Sequence, residues 1–178
     1  MKPILDMCCG SKMFYFDKEN PNVEYCDIRE GTYTNLDRGN VRVTDVKPDT
    51  LADFRKLPFE DNSFYQVIFD PPHLKYAGDN SWLKAKYGCL DRENWEADLK
   101  AGFSEAWRVL KLNGTLIFKW NDIDIPLAKL YPLFPGQPIF GQKRPKNKNG
   151  KYSHWLVFMK VEDISNDRQT NIAGHQSV

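Results

Sequence analysis

The sequence predicts an α/β domain with a mainly parallel sheet and an antiparallel hairpin at its end. Three observations carry that prediction. Short apolar runs rich in Val, Ile, Phe, Tyr and Trp recur along the chain, a helical period separates two of them, and from residue 137 onward the helical period is gone. A chain of 178 residues, 41% of them hydrophobic, suits one domain with its own core, here expected over residues 1–161.

The strands follow in order as "PILDM" (3–7), "VEYCDI" (23–28), "YQVIFD" (65–70), "GTLIFKW" (114–120) and "HWLVFMK" (154–160). Three of these are nearly continuous in apolarity, which suits strands covered on both faces. Between the third and fourth, "WEADLKAGFSEAWRVL" (95–110) sets Trp95, Leu99, Phe103, Trp107 and Leu110 at helical spacing. Asn94 is the expected N-cap, Glu96 and Asp98 fall in the first turn, and Asn113-Gly114 ends the segment. "QPIFGQK" (137–143) and "HWLVFMK", joined by "RPKNKNGKYS", form the hairpin. The polar tail, 162–178, is expected to be flexible.

Composition narrows the partners. A net charge of +1 gives no global field for a polyanion, so any nucleic-acid contact must come from a local patch. Cys8, Cys9, Cys26 and Cys89 form no CxxC pair, which argues against zinc and for reduced thiols of an intracellular protein. Ile4 and Leu5 are cut short by Asp6, so no signal peptide is expected. No run approaches the roughly 20 apolar residues of a membrane span, and a soluble, cytoplasmic protein is expected.

Ligands of open α/β sheets bind beyond the carboxyl ends of the strands. Four stretches meet that rule. In "LDMCCGSKMF" (5–14) a strand ends at Asp6, Cys8, Cys9 and Gly10 turn the chain, and Ser11 is expected to begin a short helix stopped by Asn20-Pro21. One glycine in that turn weighs against a dinucleotide pyrophosphate and permits a ligand without phosphates. Asp27 lies 21 positions after Asp6, the spacing of a carboxylate that accepts ribose hydroxyls, although a surface Asp capping a turn would look the same. Asp53-Phe54 offers an acceptor for an adenine amine and an apolar face for its ring. Finally, "VIFDPPHLKY" (67–76) delivers Asp70 to a strand end and fixes the backbone after it with Pro71 and Pro72, ahead of His73.

This combination resembles the class I (Rossmann-like) S-adenosylmethionine-dependent methyltransferases across roughly residues 3–160. Its carriers are "LDMCCG", Asp27, "DFRKLPFEDNSFYQVIFDPP" and "EAWRVLKLNGTLIFKW". Asp70-Pro71-Pro72-His73 resembles the Asp/Asn-Pro-Pro-aromatic motif of the amino methyltransferases, with His73 where Tyr, Phe or Trp is commoner. Cys8 and Cys9 stand where that family usually has a glycine-rich turn. The resemblance implies a Rossmann-like three-layer sandwich with a seven-stranded, mainly parallel sheet. It implies S-adenosyl-L-methionine as cofactor, held by Asp6, Met7, Cys8, Cys9, Gly10, Asp27, Ile28, Asp53, Phe54 and Asp70, with Asp70, Pro71, Pro72 and His73 as the catalytic group.

The chemistry suits those residues. An exocyclic amine conjugates its lone pair into the ring. Two acceptors, the Asp70 carboxylate and the Pro71 carbonyl, would bind the amino hydrogens and favour a pyramidal nitrogen in near-attack geometry. His73 would stack on a base removed from its helix.

Two basic segments are candidates for the substrate. Residues 73–95 interleave Lys75, Lys84 and Lys86 with Tyr76, Trp82 and Tyr87, which suits either a nucleic-acid loop or a lid over the cofactor. The hairpin tip carries Lys143, Arg144, Lys146, Lys148 and Lys151, either a phosphate contact or a solvated turn. The leading expectation is methylation of a nucleobase amine in RNA or DNA. At this length no separate target-recognition region is expected, so the chain would act on structured RNA, act with little sequence preference, or borrow specificity from a partner, a specificity subunit or homo-oligomer. A small-molecule or protein amine, or a silent cofactor-binding or nucleic-acid-binding subunit, are the alternatives.

Overall fold

The computed structural model describes residues 1–37, 39–78, 81–143 and 152–162, with backbone alone at residue 143. Arg144, Lys146, Lys148, Lys151 and the tail after residue 162 therefore lie outside the described residues. In chain order the strands are β1 (Ile4–Asp6), β2 (Val23–Asp27), β3 (Gly31–Asp37), β4 (Asn40–Val46), β5 (Thr50–Leu51), β6 (Phe64–Phe69), β7 (Leu110–Asn121), β8 (Phe140–Lys143) and β9 (Ser153–Met159). The helices are α1 (Trp82–Tyr87) and α2 (Trp95–Val109).

Seven strands form one sheet in the order β5-β2-β1-β6-β7-β9-β8. The β5-β2, β2-β1, β1-β6 and β6-β7 pairs are parallel, and the β7-β9 and β9-β8 pairs antiparallel. The expected mixed sheet with its closing hairpin is therefore present. Chain direction reverses its walk across the sheet at β1, between β2 and β6, so the carboxyl ends of these strands open a crevice there.

Apolarity places the centre of the sheet. Val67, Ile68 and Phe69 are buried in succession on β6, as a strand covered on both faces requires. Helix α2 packs against it with Leu99, Gly102, Phe103, Ala106 and Val109 buried. A Cβ at Gly102 would stand 2.5 Å from Phe69 Cζ and 2.8 Å from Phe54 Cδ2, so glycine sets how closely α2 approaches. Phe103 meets Phe69, Phe118 and Phe134 at ring separations of 5.3, 4.9 and 5.3 Å. Truncating such a residue to Ala costs about 3–5 kcal/mol.

Several local details differ from the expectation or add to it. Residues 11–20 form turns rather than a helix, because Lys12 adopts φ 53° and its amide bonds back to the Cys9 carbonyl (2.8 Å), which a right-handed helix forbids. Asn94 holds the N-cap position of α2 as expected, but its side chain makes no capping hydrogen bond. Asp91 Oδ1 instead accepts the Glu93 and Asn94 amides at 2.8 and 2.7 Å. Helix α2 ends at Val109 and runs directly into β7, with Asn113 at φ 63° inside that strand. Last, β3 and β4 form a separate antiparallel arm that was not anticipated. Among the described residues no helix is long and apolar enough to cross a membrane.

Candidate active site

A cavity of about 230 Å³ opens at the carboxyl ends of β1, β2, β6 and β7. Met7, Cys8, Cys9 and Gly10 line it from the turn after β1, and Asp27 and Ile28 from the end of β2. Asp53 and Phe54 contribute a further wall, and residues 70–73 the wall opposite. Nine of the ten expected cofactor residues thus meet in one place, the exception being Asp6. Parallel pairing accounts for this meeting, since it brings every strand's carboxyl end to the same edge.

Asp6 lies fully buried behind the turn. Its Oδ1 accepts the Cys8 amide at 3.1 Å and its Oδ2 the Tyr15 hydroxyl at 2.9 Å. Burial pushes its pKa from 3.8 up to about 7, against those two bonds. Asp6 is a support for the turn and not part of the cavity wall. Burial also pushes the Cys8 and Cys9 thiols up, so both stay protonated.

Asp27 is rich in donors. Oδ2 accepts the Gly10 amide at 2.9 Å, and Oδ1 accepts the Arg29 amide at 2.9 Å and Nε at 3.1 Å. The same guanidinium donates through Nη1 to the Ala85 carbonyl at 3.0 Å, tying the end of β2 to α1. Asp53 is paired with Arg55 (2.6 Å), which holds its carboxyl below the usual range and also donates to Asp98 at 2.9 Å. Phe54 packs on Phe69, ring centres 5.4 Å apart, and against Gly102 of α2, and it also lines the cavity.

Asp70 stands at the opposite wall. Phe69 pairs in register with Phe118, so the next residues, Asp70 and Lys119, emerge side by side at the sheet edge. Lys119 Nζ donates to Asp70 Oδ2 at 2.5 Å. His73 Nε2 lies 3.1 Å from Oδ1 but off the line of a hydrogen bond, and Oδ1 has no hydrogen-bond donor among the described residues. Burial opposes ionisation of Asp70, yet His73 and Lys119 outweigh it and hold the carboxyl below its usual range.

His73 lines the cavity but exposes little surface to it. That side chain is buried, with its ring edge-on to Trp120 at 5.0 Å and its Nε2 turned to Asp70. Its position i+3 from Asp70 and the two intervening prolines fold it back beneath the carboxylate. Pro71 and Pro72 both line the cavity, and Pro72 Cγ comes within 3.2 Å of where a Cβ would stand on Gly88, which adopts φ 73°.

Residues 86–91 line the cavity from above, so the segment holding α1 covers it. Lys75, Tyr76 and Trp82 do not line the cavity. The Lys75 amide donates to Asp124 and its Nζ sits 5.9 Å from the Trp95 ring, whereas Tyr76 is exposed. Lys86 Nζ lies 5.5 Å from the Trp82 ring and 4.9 Å from the Tyr87 ring.

Three contributors escaped the sequence reading: Lys119, Arg29 and Phe14, all of which line the cavity. Lys119 had a signal, because a lysine inside an apolar central strand needs an anionic partner. Arg29, two residues after Asp27, had a weaker one. Phe14 stacks on Tyr15 and had none.

No protein-family profile matches the chain, and no curated protein matches its sequence. Several solved structures resemble it. A SAM-dependent methyltransferase from Methanosarcina mazei superposes with TM-score 0.52 at 12% identity, covering 89% of this chain and 92% of that one. One from Leishmania major gives 0.51 at 12%, covering 87% of this chain and 63%, less than two thirds, of its own length. The 1,6-didemethyltoxoflavin-N1-methyltransferase of Burkholderia thailandensis, solved with 1,6-didemethyltoxoflavin and S-adenosylhomocysteine, gives 0.50 at 14%, covering 89% and 71%. What these identities share with the chain is architecture, and the architecture is the class I, Rossmann-like methyltransferase fold.

Proposed function

We propose that the protein is an S-adenosylmethionine-dependent N-methyltransferase that acts on an exocyclic amine of a nucleobase in RNA or DNA. One observation carries the reading: Asp70 lines the cavity, and its buried Oδ1 has no aligned donor among the described residues. A carboxylate has about four lone-pair sites, and Lys119 supplies its one well-formed hydrogen bond among the described residues. An amino group supplies the missing donors.

The residues present fit the cofactor. Asp27 takes the ribose side, Asp53 and Phe54 the adenine side, and the turn through Gly10 the methionine side. When bound, S-adenosylmethionine supplies a methyl group on a sulfonium. Asp70 and the Pro71 carbonyl orient the amine by accepting its hydrogens. Because Asp70 is held below the usual carboxylate range, at neutral pH it remains an acceptor rather than a store for the proton the amine loses. Pro71 and Pro72 keep that wall rigid, and the segment over α1 excludes water.

A second reading, a small heterocyclic amine as acceptor, is favoured by the Burkholderia structure, whose ligand is such a heterocycle, and by the covered cavity. Calorimetry with S-adenosylhomocysteine tests the cofactor, and no measurable heat would remove both readings. Labelled cofactor incubated with total RNA, genomic DNA and a metabolite extract then divides them. Label in nucleic acid supports the first, and label only in small molecules sinks it.

A further inference from the structure

We infer that Asp70 and Lys119 together read the acceptor, selecting an amino group that has a ring nitrogen beside it. The inference rests on the proposed transfer to an amine held by Asp70, and it names a specificity residue, Lys119, that the motif does not contain.

The pair is built into the sheet. Strands β6 and β7 run parallel with Phe69 opposite Phe118, which sets Asp70 and Lys119 next to each other on one edge of the cavity. Their side chains are mostly buried, 13% and 21% exposed, so neither is a solvated surface charge. Lys119 gives one N–H to Asp70 Oδ2, and Asp70 is its only hydrogen-bond acceptor among the described residues. An ammonium has three donors, and Nζ therefore has others to offer. The Phe14 and Trp155 rings flank Nζ at 5.8 and 5.9 Å, which confines it without giving it a further acceptor.

Seen from the cavity, the wall offers an acceptor and a donor side by side. The complementary edge is an N–H donor next to a lone-pair acceptor. An aromatic ring carrying an amine beside a ring nitrogen has that edge; adenine and cytosine both do, and an aniline does not. A site with a buried donor rejects a ligand that leaves the donor unpaired. Phe14, 36% exposed and lining the same cavity, gives such a ring a more exposed aromatic neighbour than His73, which is 9% exposed.

The test uses two neutral probes near pH 8, 4-aminopyrimidine and aniline, titrated by NMR into the protein saturated with S-adenosylhomocysteine. The wild type should bind 4-aminopyrimidine about tenfold tighter than aniline, the discrimination one good hydrogen-bonded pair provides. Lys119→Met should remove the preference, and Lys119→Arg, which keeps a donor beside Asp70, should retain most of it. Equal binding of the two probes by the wild type, no binding of 4-aminopyrimidine, or a preference that survives Lys119→Met overturns the inference. The wild-type result stands by itself should the Met variant not fold. The outcome is separable from the nucleic-acid reading: the probes carry no polymer, so the preference can hold where RNA and DNA take no label. Conversely, nucleic-acid methylation with no probe preference sinks this inference alone.

Discussion

The two ends of the cavity hold carboxylates at equivalent places, the carboxyl ends of β2 and β6, and treat them differently. Asp27 is surrounded by donors from Gly10 and Arg29. Asp70 has Lys119, a misaligned His73 and an oxygen that accepts no hydrogen bond among the described residues. A carboxylate held by donors on both oxygens is fixed in orientation before a ligand arrives, whereas one kept ionised by a half-buried cation and lacking an aligned donor on one oxygen is the less satisfied of the two. Asp6 is a third case, buried, pushed toward protonation, and turned away from the cavity. Position at a strand end thus does not fix a carboxylate's role; its donors do.

The comparison breaks most visibly at Asp70. Asp70→Ala should lower methyl transfer by about 10²–10³-fold, the scale of losing an electrostatic contact at a reacting group, with S-adenosylhomocysteine affinity nearly unchanged by calorimetry. Comparable rates in the variant would mean that its open acceptor is incidental.

Asp6 gives a pH signature in the opposite sense to ordinary acid denaturation. Its folded pKa is raised from 3.8 to about 7, so between those values the folded state holds a proton that the unfolded state has lost. Stability from this group therefore falls as pH rises through the window, by up to about 4 kcal/mol at about 1.4 kcal/mol per pH unit. Asp6→Asn should remove that fall, read as urea midpoints from pH 4 to pH 7 for the two proteins. A parallel pH profile would contradict the burial argument.

Asp27 should answer in binding rather than in rate. Asp27→Asn is expected to weaken S-adenosylhomocysteine by about 2 kcal/mol, the order of a charged hydrogen bond, while kcat at saturating cofactor changes little. A drop confined to kcat would assign Asp27 to the wrong end of the cavity.

The smallest effect is expected at Arg29. Arg29→Met removes the bond to the Ala85 carbonyl, worth about 1 kcal/mol, and amide exchange across α1 should rise roughly fivefold. Unchanged exchange there would show that Gly88 packing on Pro72 alone holds the cover.

Much of this was legible in the sequence, for physical reasons. Continuous apolarity marked β6, helical spacing marked α2, and parallel strands ending in Asp6, Asp27 and Asp70 implied a ligand edge. The arm of β3 and β4 was missed although Thr32, Thr34 and Leu36 alternate with Tyr33 and Asn35 ahead of Gly39-Asn40, the ordinary pattern of a hairpin. The helix expected after Ser11 failed because a left-handed residue is invisible at a lysine; nothing in residue type foretells φ 53° at Lys12. The edge contact of His73 with Trp120 is not legible, because sequence order cannot say toward which side of two prolines a ring returns. Nor is the role of Lys119, since it depends on which residue stands in register across β6.

The turns at residues 11–20 decide which cofactors the pocket rejects. A helix beginning at Gly10 would point a positive end, about half a charge, at whatever lies against the turn, and attract phosphates. Without it, the charges nearest that turn are Asp27 and Asp70, each paired with a cation, Arg29 and Lys119, and the turn offers a phosphate no helix end to bind.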